Sequence, residues 1–427
     1  MNILILGATG FIGSAVAAKL AGEGHQVTGL GREPARAALK MPRARWLKAD
    51  LAGMTRSQDW QGVLDGQQAV VNCAGALQGG LSDDVGATQE RAMLALYEAA
   101  RGQDLLIVQI SAETERAGSD LPFLDTKRRA DAALAASGVR HVILRPALVL
   151  GRNAHGGSAL LRALAAFPFV VPLAYADSPV MTVALDDVAS AVSAAVQGKL
   201  PSGSDIALGS DDRLTLKDLV LLHRNWLGLP PAPVFAVPPL AARPVTWLAD
   251  VAGRLGWRSP LRSTALAVMS GGVRVRRRQP SPDRRLLSAA ETLAAAPSGV
   301  QDLWFARLYL LKAPIIVTLA LFWVASGLAP FLGFEAARGH FATFLADRPA
   351  GIMLALTCLA DIALGLAVLF RPWARRALLG MLLLAILYLL AATFAEPALW
   401  LDPLGPLVKV VPSILLTLAA LAILDER

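Results

Sequence analysis

The first residues of the chain that could do chemistry are three glycines near the N terminus. The segment Gly7–Gly13 reads Gly-Ala-Thr-Gly-Phe-Ile-Gly; it follows the short apolar run Asn2–Leu6 and precedes an alanine-rich segment that reaches Ala21. Glycines at this spacing allow a sharp strand-to-helix turn and close approach of a pyrophosphate, which the free N–H groups of the helix start then bind. The pattern is typical of a dinucleotide-binding fold. The predicted contacts are Gly7, Thr9, Gly10, Phe11, Ile12 and Gly13.

A basic residue lies at the position that distinguishes NAD from NADP in dinucleotide-binding folds. A second strand is predicted over Gln26–Leu30, and Arg32 follows it, with Arg36 one turn further on. NAD-selective sites place an acidic residue here, about 20 positions past the glycines, to bind the ribose hydroxyls. An arginine instead pairs with a 2′-phosphate, which a carboxylate would repel. We therefore expect NADP in preference to NAD; the alternative is that Arg32 is a solvated residue after a strand.

The elements that must position these residues are strands that alternate with helical segments. The other candidate site residues directly follow the later strands. They are Asp50 and Leu51 after a third strand, Ala74 and Gly75 after Ala69–Cys73, Ser111 after Leu105–Ile110, and Arg145 and Pro146 after His141–Leu144. Such alternation implies an α/β fold with a doubly wound parallel sheet, whose ligand lies at the carboxyl ends of the strands. We expect Asp50 and Leu51 near the adenine, and Ala74, Gly75 and Pro146 in the same cofactor site.

The C-terminal part of the chain has a different composition. The chain of 427 residues is 55% hydrophobic and 17% charged, against about 45–50% and about 25% in a typical soluble domain. This argues against a purely soluble enzyme and excludes intrinsic disorder. The excess lies in four spans, each close to the ~20 residues that cross a bilayer as a helix. They are Ala313–Phe334, Ala350–Phe370, Ala377–Ala395 and Pro403–Leu424.

The charges between the spans predict their orientation. Arg371, Arg375 and Arg376 lie between the second and third spans, whereas Glu396 and Asp402 lie between the third and fourth. Because basic loops stay in the cytoplasm, we expect a multi-pass protein of the cytoplasmic (inner) membrane with both termini inside.

Two charged residues lie within the predicted spans, Asp361 and Lys409. A charge at bilayer depth costs about 2.5–3.5 kcal/mol, so a partner or a cavity is expected. One solution is an ion pair between the two, with Lys409 reaching outward. The other is a functional Asp361, in a proton relay or at a quinone headgroup.

A basic block precedes the first span. The segment from Arg243 to Arg285 contains ten arginines and only two acidic residues, Asp250 and Asp283. Because the block lies just ahead of the hydrophobic region, it favours contact with anionic lipid. A nucleic-acid binder would more often spread its basic residues over a face with interleaved aromatic residues. The alternative is a solvated linker. The two cysteines, Cys73 and Cys358, lie in separate apolar runs and predict neither a disulfide framework nor a metal site.

Together these motifs resemble known families. Gly7–Gly13, Asp50-Leu51, Asn72–Gly75, Ser111 and Arg145-Pro146 are similar to the extended and atypical short-chain dehydrogenase/reductase (SDR) superfamily, most of all to the branch that includes complex I accessory subunits. The four spans with Leu401–Lys409 resemble the DoxX-like membrane family. The resemblance implies an NAD(P)-binding domain at 1–270 with a substrate lobe within about 151–270, a basic juxtamembrane linker at 271–302 and a four-helix transmembrane bundle at 303–427.

The resemblance also implies a catalytic set, from which this chain departs. Reductases of the superfamily use a Tyr-x-x-x-Lys pair and a serine; here the serine is Ser111 and the lysine is Lys127, which would also bind the nicotinamide ribose, but Phe123 replaces the tyrosine. The loss of a general acid typically removes about 10²–10⁴-fold of rate. Tyr175, His155 and Asp125 are the candidate substitutes.

Two functions remain open at this stage. The first is a membrane-anchored NADP(H)-binding oxidoreductase that acts on an apolar or quinone-like substrate at the cytoplasmic membrane face. The second is a catalytically silent NADPH-binding scaffold or assembly factor for a membrane complex. Both have membrane lipid as a partner. Phe123 favours the scaffold, because it cannot donate a proton. The oxidoreductase remains open if the acceptor is a quinone, which could take its protons from water.

Overall fold

The computed structural model describes residues 1–75, 84–113, 122–276, 285–342, 346–403 and 405–425. The chain forms two compact units. The first comprises Met1–Asp250 and Ser259–Ala306, and the second comprises Val251–Arg258 and Arg307–Arg427. The described parts of the expected linker, 271–276 and 285–302, therefore belong to the first unit, while the predicted domain boundaries stay a prediction.

The strands and helices are numbered in chain order. The strands are β1 (Asn2–Leu6), β2 (Gln26–Gly31), β3 (Arg45–Lys48), β4 (Ala69–Asn72), β5 (Leu106–Ile110), β6 (Arg140–Pro146), β7 (Leu148–Leu150), β8 (Val171–Leu173), β9 (Pro179–Val180), β10 (Thr182–Ala184), β11 (Ser204–Leu208), β12 (Leu214–Thr215) and β13 (Val234–Ala236). The helices are α1 (Phe11–Gly22), α2 (Pro34–Lys40), α3 (Gln61–Leu64), α4 (Ala92–Ala99), α5 (Pro122–Ala136), α6 (Gly157–Ala165), α7 (Leu185–Val196), α8 (Leu216–Trp226), α9 (Pro239–Arg254), α10 (Ser263–Ser270), α11 (Ala289–Ala294), α12 (Val300–Tyr309), α13 (Lys312–Leu332), α14 (Phe334–Ala342), α15 (Asp347–Ala367), α16 (Arg371–Ala395) and α17 (Pro406–Ile423).

The first unit is built on a seven-stranded parallel sheet in the order β11-β6-β5-β4-β1-β2-β3. Successive residues of β1 point to opposite faces, so Ile3 and Ile5 pack with α1 and α7, whereas Leu4 and Leu6 pack with α4 and α5. The predicted doubly wound α/β fold is confirmed. Because every strand runs the same way, all the carboxyl ends meet at one edge.

A small lobe follows the sheet strands along the chain. Its core includes Leu161 of α6, Leu173 of β8 and Leu219 of α8, and residues Ala289 and Ala306 of the later helices pack into the same cluster. Buried polar side chains brace it: Arg162 forms an ion pair with Asp302, whose atoms lie 3.4 Å apart. The described part of the expected linker is thus a packed element of the lobe.

The second unit contains the four predicted apolar helices, α13, α15, α16 and α17, each long and apolar enough to cross a membrane. Each helix leaves a leucine largely exposed on its outer face: Leu321, Leu359, Leu383 and Leu415. The helices α13 and α15 approach closely because Gly365 has no side chain; a Cβ there would lie 2.9 Å from the Ala320 carbonyl oxygen. Small residues allow such contact where apolar lipid surrounds the helices.

Of the two alternatives for Asp361, the ion pair with Lys409 is not formed. Asp361 is buried and accepts hydrogen bonds from Ser326 of α13 and Tyr388 of α16, whereas Lys409 is exposed at the start of α17. Hydroxyl groups rather than an ammonium group meet the carboxylate.

Candidate functional site

The turn between β1 and α1 has the backbone geometry that the glycines predict. Gly7 has a φ of +71°, and a Cβ on Gly13 would lie 2.2 Å from the Gly7 carbonyl oxygen. Helix α1 starts after Gly10 with no side chain capping its first N–H groups. An uncapped helix start behind a glycine turn fits a pyrophosphate, because its N–H groups and dipole favour an anion. Thr9 is exposed at this turn, and Phe11 and Ile12 are half-buried.

The ends of β2 and β3 bring the predicted adenine and ribose contacts to the same edge. Gly31 pairs with Lys48, so Arg32 and Asp50 follow neighbouring positions of the two strands. Both side chains are exposed. Asp50 also has a local role, since its Oδ1 accepts a hydrogen bond from the Ala52 backbone N–H at 3.2 Å and caps the turn that begins at Leu51.

A buried amide network holds the end of β4. The Asn72 side chain accepts a hydrogen bond from the Ala74 backbone N–H at 3.0 Å and donates one to Gln109 of β5 at 2.9 Å. This fixes the backbone of Ala74 and Gly75 beside the glycine turn, where a Cβ on Gly7 would lie 2.9 Å from the Ala74 backbone.

Lys127 reaches the same edge from α5. Its Nζ donates a hydrogen bond to the Ile110 carbonyl oxygen at 3.1 Å and lies 3.4 Å from the position of a Cβ on Gly75. Burial lowers the pKa of Lys127, and the charge of Asp131 opposes that change. One turn earlier, Phe123 is buried, so this place on the helix offers no hydroxyl group.

The Ser111 hydroxyl is engaged in a buried ion network. It donates a hydrogen bond to Asp131 Oδ2 at 2.5 Å, and Arg145 lies 2.9 Å from the same oxygen. Arg145 also binds Asp205 of β11 at 2.7 Å and donates to the Ala112 carbonyl oxygen at 2.7 Å. In this arrangement the hydrogen of Ser111 points to Asp131 and not to a substrate.

Asp131 is a buried carboxyl group of the site. Burial raises its pKa, while Arg145, the Ser111 hydrogen bond and Lys127 act in the other direction. Its Oδ1 is buried and has no hydrogen-bond partner within the part of the chain that the structure describes. Asp131 therefore joins Ser111 and Lys127 into one electrostatic unit.

Three residues of the site, Asp131, Arg145 and Asp205, were not predicted as site residues from the sequence. A signal was present for Asp131, which lies four residues after Lys127 and so on the same side of α5. Arg145 was noted only as part of a motif, and the pairing of β11 beside β6 that brings Asp205 to it depends on tertiary structure. The predicted roles of the site residues stay predictions, but the structure brings them together at one sheet edge. Pro146 is half-buried there, at the end of β6.

The possible substitutes for the tyrosine lie in different surroundings. Asp125 is bound to Arg128 at 2.5 Å, and His155 stacks near Phe11 with ring centres 6.3 Å apart. Tyr175 has a φ of +55° and lines an open depression of the lobe. Burial raises the pKa of the Cys73 thiol to about 12, which favours the protonated thiol at neutral pH.

Comparison with protein families agrees with this geometry. Residues 7–197 match the family described as NAD(P)H-binding, and residues 320–418 match the DoxX-like family. The matches and the parallel sheet indicate an NAD(P)-binding Rossmann domain followed by a DoxX-like region. The DoxX-like match and the four apolar helices together indicate a membrane-embedded protein. None of the curated proteins matches the chain.

Several solved structures are similar to part of this chain. The dTDP-glucose 4,6-dehydratase of Bacillus anthracis, in complex with NAD, is 18% identical over 56% of this chain and 84% of its own, with a TM-score of 0.47. The UDP-glucuronic acid 4-epimerase of Bacillus cereus, also with NAD, is 18% identical over 64% and 98%, with a TM-score of 0.47. The UDP-N-acetylglucosamine 4-epimerase of Bacillus cereus is 20% identical over 56% and 88%, with a TM-score of 0.45.

Proposed function

We propose that the protein is a membrane-anchored, NADP(H)-binding oxidoreductase that acts on an apolar, quinone-like substrate at the cytoplasmic face of the membrane. The observation that carries the proposal is the position of Lys127. Its ammonium group lies against Gly75, at the same sheet edge as the uncapped glycine turn. A bound dinucleotide would meet the glycine turn with its phosphates and Lys127 with its ribose, and it would supply a hydride.

The preference for NADPH rests on charge at the end of β2. Arg32 follows the strand at an exposed position, and Arg36, one turn on, lies 3.7 Å from Glu33. A guanidinium group can bind a 2′-phosphate through two hydrogen bonds at once. The position otherwise used by a carboxylate for the ribose hydroxyls is therefore suited to the phosphorylated cofactor.

The missing tyrosine favours a quinone over an ordinary ketone. Reduction of a ketone generates a strongly basic alkoxide, which needs a positioned acid. Reduction of a quinone consumes one hydride and one proton and passes through an aromatic hydroquinone anion, a weak base that water can protonate. With Phe123 in place of the acid, and the Ser111 hydrogen directed to Asp131, the site suits the second reaction.

The lobe presents apolar side chains to its surroundings. Phe169, Phe235, Leu240, Trp247 and Leu248 are all more than half exposed. In the same lobe an open depression of about 580 Å³ is lined by residues 173, 175–179 and 236–239. Exposed apolar surface of this kind marks sites for apolar ligands or membranes.

One end of the membrane unit supports a cytoplasmic placement of both termini. Lys312 at the start of α13 and Arg371 at the start of α16 both donate hydrogen bonds to the Leu424 carbonyl oxygen at the end of α17. Both cations also lie over the Trp257 ring, at 5.7 and 5.6 Å. Basic residues with a tryptophan are typical of the cytoplasmic boundary of a membrane.

Anionic lipid remains the proposed partner of the basic block, but fewer arginines are available to bind it. Arg262 pairs with Asp250 at 3.1 Å and Arg285 with Glu291 at 3.0 Å. Arg277, Arg278 and Arg284 lie outside the described residues. Local pairing leaves fewer charges for headgroups than the ten counted in the sequence.

Two observations favour a second function, an NADPH-binding scaffold or assembly factor for a membrane complex without catalysis. Phe123 is buried and cannot donate a proton, and Ser111 already donates its hydrogen to Asp131. The nucleotide site would then stabilise a fold that other membrane proteins recognise.

A titration of the detergent-purified chain with NADPH and NADH, followed by nucleotide fluorescence, separates these functions. After binding, a short-chain quinone is added and the oxidation of bound NADPH is measured over a single turnover. We expect tighter binding of NADPH, and oxidation that slows in Lys127→Met. The exposed Lys217, at the start of α8, provides the control variant Lys217→Met.

Each result has a distinct meaning. Binding of NADPH with oxidation by the quinone supports the oxidoreductase. Binding without oxidation by quinones supports the scaffold. Absence of binding to either nucleotide overturns both, because both need an intact nucleotide site.

A further inference from the structure

The membrane unit contains one buried carboxyl group, that of Asp361 on α15, among its described residues. The side chain is 5% exposed, and α15 is one of the four helices that could cross a membrane. Neither the family matches nor the proposed nucleotide chemistry assigns it a role. Because an ionised carboxylate at this depth is costly, such residues are functional more often than structural.

Three helices meet at this carboxyl group. Ser326 of α13 donates a hydrogen bond to Oδ2 at 3.0 Å, and Tyr388 of α16 donates one to Oδ1 at 2.9 Å. Each carboxylate oxygen therefore has one hydroxyl donor, and both donors are uncharged.

Among the described residues, the charged and titratable groups near Asp361 do not place a cation beside its carboxyl group. Tyr388 comes from α16, and Cys358 lies one turn earlier on α15 itself. The charged pair of α14, Glu335 and Arg338, is bound internally at 2.7 Å. Lys312 of α13 and Arg371 of α16 bind the Leu424 carbonyl oxygen at the end of the unit. In the described chain, no lysine, arginine or histidine forms an ion pair with Asp361.

The packing around Asp361 suits a proton better than a metal ion. A Cβ on Gly327 would lie 3.1 Å from Asp361 Cβ and 2.5 Å from the Cys358 carbonyl oxygen, so α13 and α15 are in direct contact there. A hard cation needs about six oxygen ligands, whereas this site offers one carboxylate and two hydroxyl groups. No group of three or more metal-ligating side chains occurs within the described ranges.

We propose that Asp361 is a proton-binding site of the membrane unit, which takes up and releases a proton as the pH changes. In the protonated state the carboxyl group is neutral, as its apolar surroundings favour. In the ionised state the hydroxyl groups of Ser326 and Tyr388 stabilise the charge. The two donors make ionisation reachable, so the proton is exchangeable.

Dicyclohexylcarbodiimide tests this directly, because it is apolar and adds to protonated carboxyl groups. The full-length protein in lipid nanodiscs is treated between about pH 6 and about pH 9, digested and analysed by mass spectrometry. We expect labelling of Asp361 that falls on the order of tenfold per pH unit above its midpoint. Asp347, exposed at the start of the same helix, is the internal control and should remain unlabelled.

A variant and a second measurement keep the test decisive. In Asp361→Asn the label at this peptide disappears, and thermal unfolding should stay close to the wild type because the neutral amide keeps both contacts: its oxygen accepts a hydrogen bond from one hydroxyl group and its NH2 group donates one to the other. Infrared difference spectra should show a protonated carboxyl band in the wild type that the variant lacks. Labelling that does not change with pH overturns the exchangeable site. A carboxylate band throughout the pH range, with no labelling, overturns protonation itself.

Discussion

At the scale of single residues, Arg32 carries the proposed choice of cofactor. Its guanidinium group stands after β2, where the 2′ position of the adenosine ribose is expected. We expect Arg32→Asp to weaken NADPH binding roughly 10- to 100-fold, because a charge-assisted hydrogen bond is worth about 1.5–3 kcal/mol. Binding of NADH should change little. Parallel fluorescence titrations of the two nucleotides measure the difference.

Arg36 supplies the matched control for that prediction. It lies one turn further along, near Glu33, so Arg36→Asp should reduce NADPH affinity less than Arg32→Asp does. Equal losses of NADPH and NADH in Arg32→Asp would refute the proposed preference.

Phe123 stands where the resemblance to SDR reductases implies a tyrosine. It is buried one turn before Lys127, and the substitution Phe123→Tyr adds only a hydroxyl group. We expect NADPH affinity to stay within about tenfold, since changes that nearly keep the volume of a side chain usually cost less than about 1.5 kcal/mol. The same fluorescence titration checks this. Abolished binding would mean that α5 does not face the nucleotide as described.

At the scale of secondary-structure elements, the lobe should be sensitive to acid through His223 of α8. The ring is 1% exposed, and burial lowers its pKa to about 4. The unfolded chain binds a proton near pH 6.5, so stability is present above that pH and is lost as the pH falls toward 4. Between about pH 7 and about pH 5 the loss is on the order of 2 kcal/mol.

The variant His223→Gln isolates this contribution. Glutamine has no titrating group in this range, so the drop in unfolding midpoint from neutral to mildly acidic pH should be smaller than in the wild type. Tryptophan fluorescence reports it, because the rings of Trp226 and His223 lie 6.4 Å apart. An identical drop in both proteins would place the acid sensitivity elsewhere.

Helix packing in the membrane unit depends on Gly365. A Cβ there would lie 2.8–2.9 Å from Val324 and the Ala320 carbonyl oxygen. We expect Gly365→Ala to destabilise the contact between α13 and α15 by about 1–3 kcal/mol, because backbone atoms cannot give way. Thermal unfolding in detergent measures the effect.

Gly351 provides the control on the same helix. A Cβ at this position meets only the flexible Arg338 side chain at 3.8 Å, so Gly351→Ala should leave the unfolding temperature unchanged. If both variants unfold alike, close approach at Gly365 does not limit stability.

At the scale of the whole molecule, the orientation of the four helices decides on which side of the membrane the nucleotide domain lies. In a background with Cys73 and Cys358 replaced by alanine, single cysteines are placed at the exposed positions Pro372 and Ala398. A membrane-impermeant thiol reagent should label Ala398→Cys in intact cells and Pro372→Cys only after the membrane is opened. The reverse pattern would place the termini outside.

Much of the architecture follows from local sequence alone. The glycine turn, the β2 and β4 strands and the four apolar helices are local patterns, since each depends on residues close together in the chain. A turn with positive φ needs glycine, and about 20 apolar residues need a membrane or an equivalent core. These predictions were confirmed because no distant partner was required.

The partners of the polar groups were decided only by tertiary structure. Asp131 binds Ser111 and Arg145, and Asp361 binds Ser326 and Tyr388 instead of Lys409. Nothing in the sequence ranks one distant partner above another, since a buried charge can be compensated by an ion pair or by several hydroxyl groups. Which solution is used depends on the strands and helices that pack side by side, and that choice is made by the burial of the whole apolar surface.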